Sequence, residues 1–164
     1  MMMIKRLLGE FKRDWSEGIN KENNAIIDNY DQVFIELENR IIPKEINIFL
    51  INDVYDKIVN ITIDFKNNDN RYPFKPPKVK VNTVYDYFDI LGQIPHELVK
   101  QRFKINCLCC NSILCRWGPS YCLNDIVNEC TTFFDLKFRS ENIHAAEMCV
   151  MKKFGHYLPI AEFL

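Results

Sequence analysis

The sequence lacks a run of about 20 apolar residues, which is the length that a membrane-spanning helix needs. It also lacks an excess of basic residues, because its formal net charge at pH 7 is -1. A domain that binds nucleic acid usually shows such an excess. We therefore expect neither a membrane nor a nucleic acid among its partners. No repeat or linker divides the 164 residues, so we expect one domain spanning residues 1–164.

A secretory signal is also missing from the first residues. Met1 to Ile4 are apolar, but Lys5 and Arg6 follow at once. A signal peptide places its basic residues before a longer apolar stretch. We therefore expect an intracellular protein, located in the cytoplasm, the nucleus or both.

The cysteines are the most unusual part of the composition. There are seven, and in a reducing compartment such cysteines act as buried thiols, metal ligands or nucleophiles. Five of them fall in one short stretch: Cys107, Cys109, Cys110, Cys115 and Cys122. A core-filling role does not require two adjacent cysteines in that stretch. The remaining two, Cys130 and Cys149, lie on faces of predicted helices and are expected to be small buried side chains.

Apolar spacing predicts a helix followed by a four-stranded antiparallel meander. The first helix is indicated by apolar residues three and four apart: Ile4, Leu7, Leu8, Phe11 and Trp15. Gly18 and the stretch Asn20 to Asn24 are expected to end that helix and open a loop. Period-two alternation predicts four strands: Val33, Ile35 and Leu37; Ile46, Ile48 and Leu50; Val59, Ile61, Ile63 and Phe65; and Val79 with Val81. Asn67 to Asn70 form a polar break before the fourth strand.

Helices are predicted for the rest of the chain. Pro95 to Phe103 is expected to hold a short helix with Leu98 and Phe103 facing inward. Helical spacing returns after the cysteines: Leu123, Ile126, Val127, Cys130, Phe133 and Phe134. Ser140 resembles the N-cap of a separate last helix. The inner face of that helix would carry Ile143, Ala146, Val150 and Phe154. The predicted fold class is therefore α+β, with helices packed on one antiparallel sheet.

Two motifs are similar to those of a known family. Tyr72-Pro73-Phe74-Lys75-Pro76-Pro77-Lys78-Val79 follows the third predicted strand, and Trp117-Gly118-Pro119-Ser120 precedes a predicted helix. Together with the element order, these motifs resemble the ubiquitin-conjugating enzyme (UBC) family. The resemblance implies the UBC fold and an acyltransferase. Such an enzyme accepts ubiquitin, or a ubiquitin-like modifier, from an activating enzyme as a cysteine thioester. It then passes the modifier to a substrate lysine or a ligase. It needs no cofactor of its own, because the upstream activating enzyme uses the ATP.

The resemblance leaves two registers for the nucleophile. With Cys110 in that role, Ser112, Ile113 and Leu114 fall where the family has one small polar and two apolar residues. With Cys107, Leu108 supplies the leucine that follows the family's cysteine. We favour Cys110, with Cys107 as the second choice and Cys109 behind both.

Other site residues are implied by the same resemblance. The family's His-Pro-Asn tripeptide before the cysteine is absent here, and Pro95-His96-Glu97 is only a partial echo of it. Asn111 or Asn106 would then supply the amide that supports the loop or stabilises an oxyanion. Lys5 and Arg6 would meet the activating enzyme. Three further residues would contact a ligase: Phe74, Pro119 and Ser120.

The sequence leaves three alternatives open. A catalytically inactive variant of the fold would act as a module that binds ubiquitin or a ligase. Alternatively, Cys107 and Cys110 have the spacing of a zinc half-site. The other half of that zinc site could come from Cys115, Cys122, His144 or His156. A redox Cys-x-x-Cys pair is the third alternative, although no thioredoxin-like βαβ pattern surrounds it. The preferred interpretation uses no metal and treats His96 as an ordinary residue at a helix start.

Overall fold

The computed structural model describes residues 2–66 and 71–156, and the predicted polar break at Asn67 to Asn70 lies outside them. The chain begins with helix α1 (Met2–Asp14), hairpin strands β1 (Ile19–Asn20) and β2 (Ala25–Ile27), and helix α2 (Tyr30–Glu38). Strands β3 (Glu45–Asn52), β4 (Lys57–Asp64), β5 (Lys78–Val81) and β6 (Tyr85–Asp86) follow. Helices α3 (Tyr87–Leu91), α4 (His96–Phe103), α5 (Leu108–Asn111) and α6 (Leu123–Phe154) complete the described part.

Within the described residues the strands form one six-stranded antiparallel sheet in sequential order, β1 to β6. The longest pairing joins β3 to β4, from Glu45 opposite Asp64 to Asn52 opposite Lys57. One face is apolar because alternate residues of β3 and β4 point inward, and Ile46, Ile48, Ile61 and Ile63 are fully buried. The core also receives the apolar side of α1 and the first half of α6. The predicted α+β class is confirmed, with an N-terminal helix, an antiparallel sheet and a long C-terminal helix.

The predicted first strand is wrong. Val33 and Leu37 are buried and Ile35 is half exposed, but all three lie in α2. Three alternating apolar residues are compatible with a strand and also with a helix. Val33 and Leu37 are four residues apart, so they lie on the same face of a helix, and that face is buried. Within the described residues the sheet therefore has six strands rather than the predicted four, and its first two, β1 and β2, precede α2 in the chain.

The Asn-rich stretch is not a loop alone, because it holds the β1–β2 hairpin. Gly18 precedes β1 with a φ of 81°, and a Cβ there would stand 2.7 Å from the Cβ of Tyr30. Glycine is therefore required at this close approach. The buried Asn20 side chain donates to Asn124 Oδ1 at 2.6 Å, and Asn23 donates to the same oxygen at 3.2 Å. These amides fix the hairpin against α6.

The predicted break at Ser140 is also wrong, since α6 runs without interruption from Leu123 to Phe154. No glycine or proline occurs in that span, so nothing interrupts its backbone hydrogen bonds. Of the four residues assigned to the inner face of a last helix, only Ile143 is buried. Ala146 and Phe154 are exposed and Val150 is partly exposed. The orientation of these turns is set by the packing of the first half of the helix.

Two further predictions concern single elements. The short helix before the cysteines is confirmed as α4, in which Leu98 is buried and Phe103 packs on Phe133 with ring centroids 5.6 Å apart. Cys130 is fully buried as predicted, whereas Cys149 is exposed, so that prediction is wrong. Across the described ranges, no helix combines the length and the apolar character needed to cross a membrane.

Candidate functional site

Three of the clustered cysteines meet at α5. Cys107 lies directly before this short helix with an extended backbone, and Cys109 and Cys110 lie within it. The Sγ atoms of all three lie within 4.8 Å of one another, and those of Cys109 and Cys110 are 3.8 Å apart. Cys110 is exposed, while Cys107 and Cys109 are partly exposed. We call these residues the three-cysteine cluster.

The thiols of the cluster differ in acidity. Hydrogen bonding from Cys109 and from the backbone of Cys110 lowers the pKa of Cys107 to about 7. The hydrogen bond to Cys107, together with burial, raises the pKa of Cys109 to about 11. The thiolate is the nucleophilic form of cysteine. Near neutral pH, Cys107 is therefore ionised far more readily than Cys109.

The backbone around the cluster is held by Asn111. Its side-chain Nδ2 donates to the carbonyl oxygen of Cys107 at 2.8 Å. The guanidinium of Arg116 donates to the carbonyl oxygen of Asn111 at 2.6 Å. Asn111 thus braces the start of α5. Asn106 is exposed beside the cluster.

Glu129 of α6 anchors the segment that follows the cluster, and it is not among the site residues predicted from the sequence. Its carboxylate accepts hydrogen bonds from Ser112 Oγ at 2.7 Å, from Ile113 N at 2.7 Å and from Tyr87 Oη at 3.2 Å. Ser112 is fully buried. An acidic residue three positions after Ile126, beside the inward face of a helix, was the signal that could have identified it.

A second carboxylate, that of Glu10, links α1 to the proline segment and to the start of α6. It accepts a hydrogen bond from Tyr72 Oη at 2.7 Å and one from the backbone N–H of Leu123 at 3.0 Å, and it pairs with Arg6. Burial raises the pKa of Glu10 despite these partners. Burial and the nearby Glu10 carboxylate also raise the pKa of Tyr72. The signal for Glu10 was its position one turn after Leu7 on the apolar face of the helix.

The two sequence motifs touch directly. Trp117 Nε1 donates to the carbonyl oxygen of Pro73 at 2.7 Å. The Trp117 ring also packs on Tyr72, with centroids 6.0 Å apart, and on Tyr121, with centroids 5.8 Å apart. The proline segment therefore supports the end of the loop that carries the cysteines.

A small pocket of about 50 Å³ lies beside the cluster. Cys107 and Cys109 line it together with three buried apolar residues of α3, α4 and their connection: Leu91, Ile94 and Val99. His96, the first residue of α4, is exposed at the same pocket. The pocket is too small to hold more than solvent-sized groups.

The expected partner-binding residues lie at the surface around α1 and the two motifs. Lys5 is exposed, and Phe74 is 63% exposed within the proline segment. Pro119 and Ser120 are exposed as well. Arg6 differs because, besides pairing with Glu10, it donates to the carbonyl oxygen of Tyr121 at 3.3 Å. Its guanidinium also lies 3.5 Å from the carbonyl oxygen of Ser120. Arg6 therefore holds α1 against the loop that precedes α6.

The predicted zinc half-site, Cys107 and Cys110, lies beside a third cysteine that was not among the ligands expected to complete it. In residues 2–66 and 71–156, the cluster of potential metal ligands that includes Cys107 and Cys110 is completed by Cys109. The other candidates do not join it: Cys115, Cys122, His144 and His156. Cys122 is buried at the start of α6, where burial raises its pKa to about 11.

Comparisons with known proteins add no relative to this description. A scan against protein-family models, a search of the curated proteins and a search of the solved structures each found no match for this chain.

Proposed function

We propose that this chain has the UBC fold and carries ubiquitin, or a ubiquitin-like modifier, as a thioester on the three-cysteine cluster. The observation that best supports the proposal is the hydrogen bond from Trp117 Nε1 to the carbonyl of Pro73. It joins the two motifs on which the resemblance rests, and both motifs flank the segment that presents the thiols. An N-terminal helix, an antiparallel meander and a helix after Trp117 accompany them in the expected order.

The chemistry requires an accessible thiolate and no strong adjacent base. The thiolate attacks the thioester carbonyl of the loaded activating enzyme, a new S–C bond forms, and the donor's cysteine leaves as a thiolate. A lysine amine then attacks the same carbonyl, an amide N–C bond forms, the carrier's sulfur leaves as a thiolate, and the proton lost by the amine passes to solvent. Because Cys110 is exposed and Cys107 is partly exposed, both can meet such a donor. ATP is used by the upstream activating enzyme.

Exposure and acidity separate the candidate nucleophiles. Exposure favours Cys110, because a bulky protein donor must approach its sulfur closely. Acidity favours Cys107, because its pKa is lowered to about 7 and the thiolate is the nucleophilic form. We retain Cys110 as the first candidate and Cys107 as the second. In either case Asn111 acts by bracing α5 through its bond to the carbonyl of Cys107.

The partners follow from the same proposal. Lys5 offers a cation to the activating enzyme, and a ligase contacts three exposed residues: Phe74, Pro119 and Ser120. These partners imply an intracellular protein, in the cytoplasm, the nucleus or both.

The test is a loading assay. The protein is mixed with activating enzyme, ubiquitin and ATP, and the products are separated with and without reducing agent. We expect an adduct of one ubiquitin that disappears on reduction. Mass spectrometry of the adduct assigns the modified cysteine. Cys110→Ser should convert the adduct to an ester that resists reduction, whereas Cys115→Ser, an exposed control outside the cluster, should load normally.

An inactive binding module is the second candidate, and the absent His-Pro-Asn tripeptide favours it. This candidate predicts no adduct with any modifier, together with saturable binding of free ubiquitin or of a ligase domain. The absence of an adduct under conditions that load a known carrier would overturn the enzyme proposal.

A further inference from the structure

The distances within the three-cysteine cluster match those of a metal site. Zn–S bonds of about 2.3 Å at tetrahedral angles place neighbouring sulfurs about 3.8 Å apart. The Sγ atoms of Cys109 and Cys110 are 3.8 Å apart, and the Sγ of Cys107 lies within 4.8 Å of both. All three side chains reach the surface to some degree, so a metal ion from solvent has access to their sulfurs.

The backbone that carries these thiols is fixed by groups other than a metal. Asn111 Nδ2 holds the carbonyl of Cys107, and Glu129 holds Ser112 and Ile113 directly after α5. Because these contacts already hold the thiols close together, little conformational entropy is lost when a metal ion binds, and this favours affinity. The cluster is therefore a preformed set of donors rather than three cysteines that meet by chance on a loose loop.

We propose that Cys107, Cys109 and Cys110 bind one Zn²⁺ ion through three thiolates. Soft sulfur ligands suit this ion, and three protein ligands leave the fourth tetrahedral position open to water or another exchangeable ligand. In the described part of the chain, no fourth histidine, cysteine or carboxylate joins the group. Three thiolates and a divalent ion sum to a charge of about -1. Protons released from the thiols pass to solvent.

This site does not depend on the acyl-transfer proposal. If both hold, the ion and the modifier compete for the same sulfur, because a thiolate that is bound to zinc is shielded from the incoming carbonyl. Zinc would then act as a reversible inhibitor of loading, because an ion bound at this surface cluster exchanges with solvent.

The experiment uses the full chain, reduced with a phosphine and stripped of metal. Co²⁺ is added as a spectroscopic probe, and Zn²⁺ is then titrated against a chromophoric chelator. We expect sulfur-to-cobalt charge-transfer bands that saturate at one equivalent and disappear as Zn²⁺ displaces Co²⁺. Native mass spectrometry checks the stoichiometry. No ubiquitin or activating enzyme is present, so failure here and failure of the loading assay are separate results.

Variants decide whether the cluster is responsible. Cys109→Ser and Cys110→Ser should each weaken Zn²⁺ binding by at least about tenfold, since even loss of a residue that only orients a ligand has an effect of that size. Cys115→Ser, which removes an exposed thiol outside the cluster, should leave affinity unchanged. Far-UV circular dichroism checks the fold, and Cys110→Ser, at the more exposed position, serves if Cys109→Ser fails to fold. Absence of saturable binding, or equal loss in Cys115→Ser, would overturn the proposal.

Discussion

The indole of Trp117 donates a hydrogen bond to the carbonyl oxygen of Pro73 at 2.7 Å, across 44 residues of sequence. This bond ties the segment that follows the cysteines to the proline segment that connects β4 and β5. It links the two motifs by which the sequence resembles a known family. Its loss should therefore loosen the cysteine segment while the far side of the sheet stays intact.

Trp117→Phe removes the donor but keeps an aromatic ring against Tyr72. We expect the free energy of unfolding to fall by about 1 kcal/mol, the usual net value of such a hydrogen bond. Amide hydrogen exchange should accelerate at residues 108–116 and remain unchanged in the β1–β2 hairpin. Tyr121→Phe is the control, because that ring can keep its contact with Trp117. Equal exchange in the two variants would refute the anchoring role of the indole.

Glu129→Gln tests the carboxylate below the cysteines. A glutamine has one acceptor oxygen where three donors now converge, so the N–H of Ile113 or the hydroxyl of Ser112 loses its partner. We expect a loss of about 1–3 kcal/mol in the free energy of unfolding, measured with urea. Glu141→Gln on the same helix, where the carboxylate is exposed and pairs with Lys137, should change stability much less. Equal effects would contradict the proposed anchor.

Asp64→Asn should remove part of the acid sensitivity of the fold. Burial opposes ionisation of Asp64, but hydrogen bonds from Lys80 and the backbone of Lys66 outweigh it, so the pKa is lowered on folding. A carboxyl with a lowered folded pKa stabilises the protein above its unfolded pKa, about 3.9, and loses that contribution as pH falls through the folded pKa.

The difference in unfolding free energy between wild type and Asp64→Asn should therefore be largest near pH 7, at about 1–3 kcal/mol. It should shrink below about pH 4. Thermal or urea unfolding from pH 7 to pH 2 measures it. Glu45→Gln, which breaks a solvent-exposed pair with Lys66, should show a far smaller difference. A difference that grew toward acid pH would contradict the sign of this pKa shift.

Lys5 and Arg6 should respond differently to charge reversal. Lys5→Glu changes an exposed residue, so the melting temperature should stay constant while loading by the activating enzyme slows. Arg6→Glu places a second carboxylate beside the buried Glu10 and removes the link to the carbonyl of Tyr121. It should lower the melting temperature and slow loading as well. Unchanged loading in Lys5→Glu would refute its partner role, and an unchanged melting temperature in Arg6→Glu would refute its structural one.

The sequence was sufficient to predict the helices and strands that have a long periodic pattern of apolar residues. The helix around Leu7 and Phe11, the strands around Ile48 and Ile61, and the helix from Leu123 were all predictable. Each has a buried face that repeats over several turns or pleats, and burial of that face decides the local structure. The strand predicted at Val33, Ile35 and Leu37 was wrong because three residues do not distinguish the period of a strand from that of a helix.

For the site, the sequence by itself determined that cysteines cluster between two motifs. The thioester chemistry is a prediction from the resemblance of those motifs to a known family. Only the tertiary structure decided which thiols meet. A short helix brings Cys109 to Cys107 and Cys110, a convergence that depends on backbone geometry rather than on spacing. The carboxylates of Glu129 and Glu10 accept hydrogen bonds from residues remote in sequence. No local pattern encodes such partners, because each bond forms only after the sheet and α6 have packed.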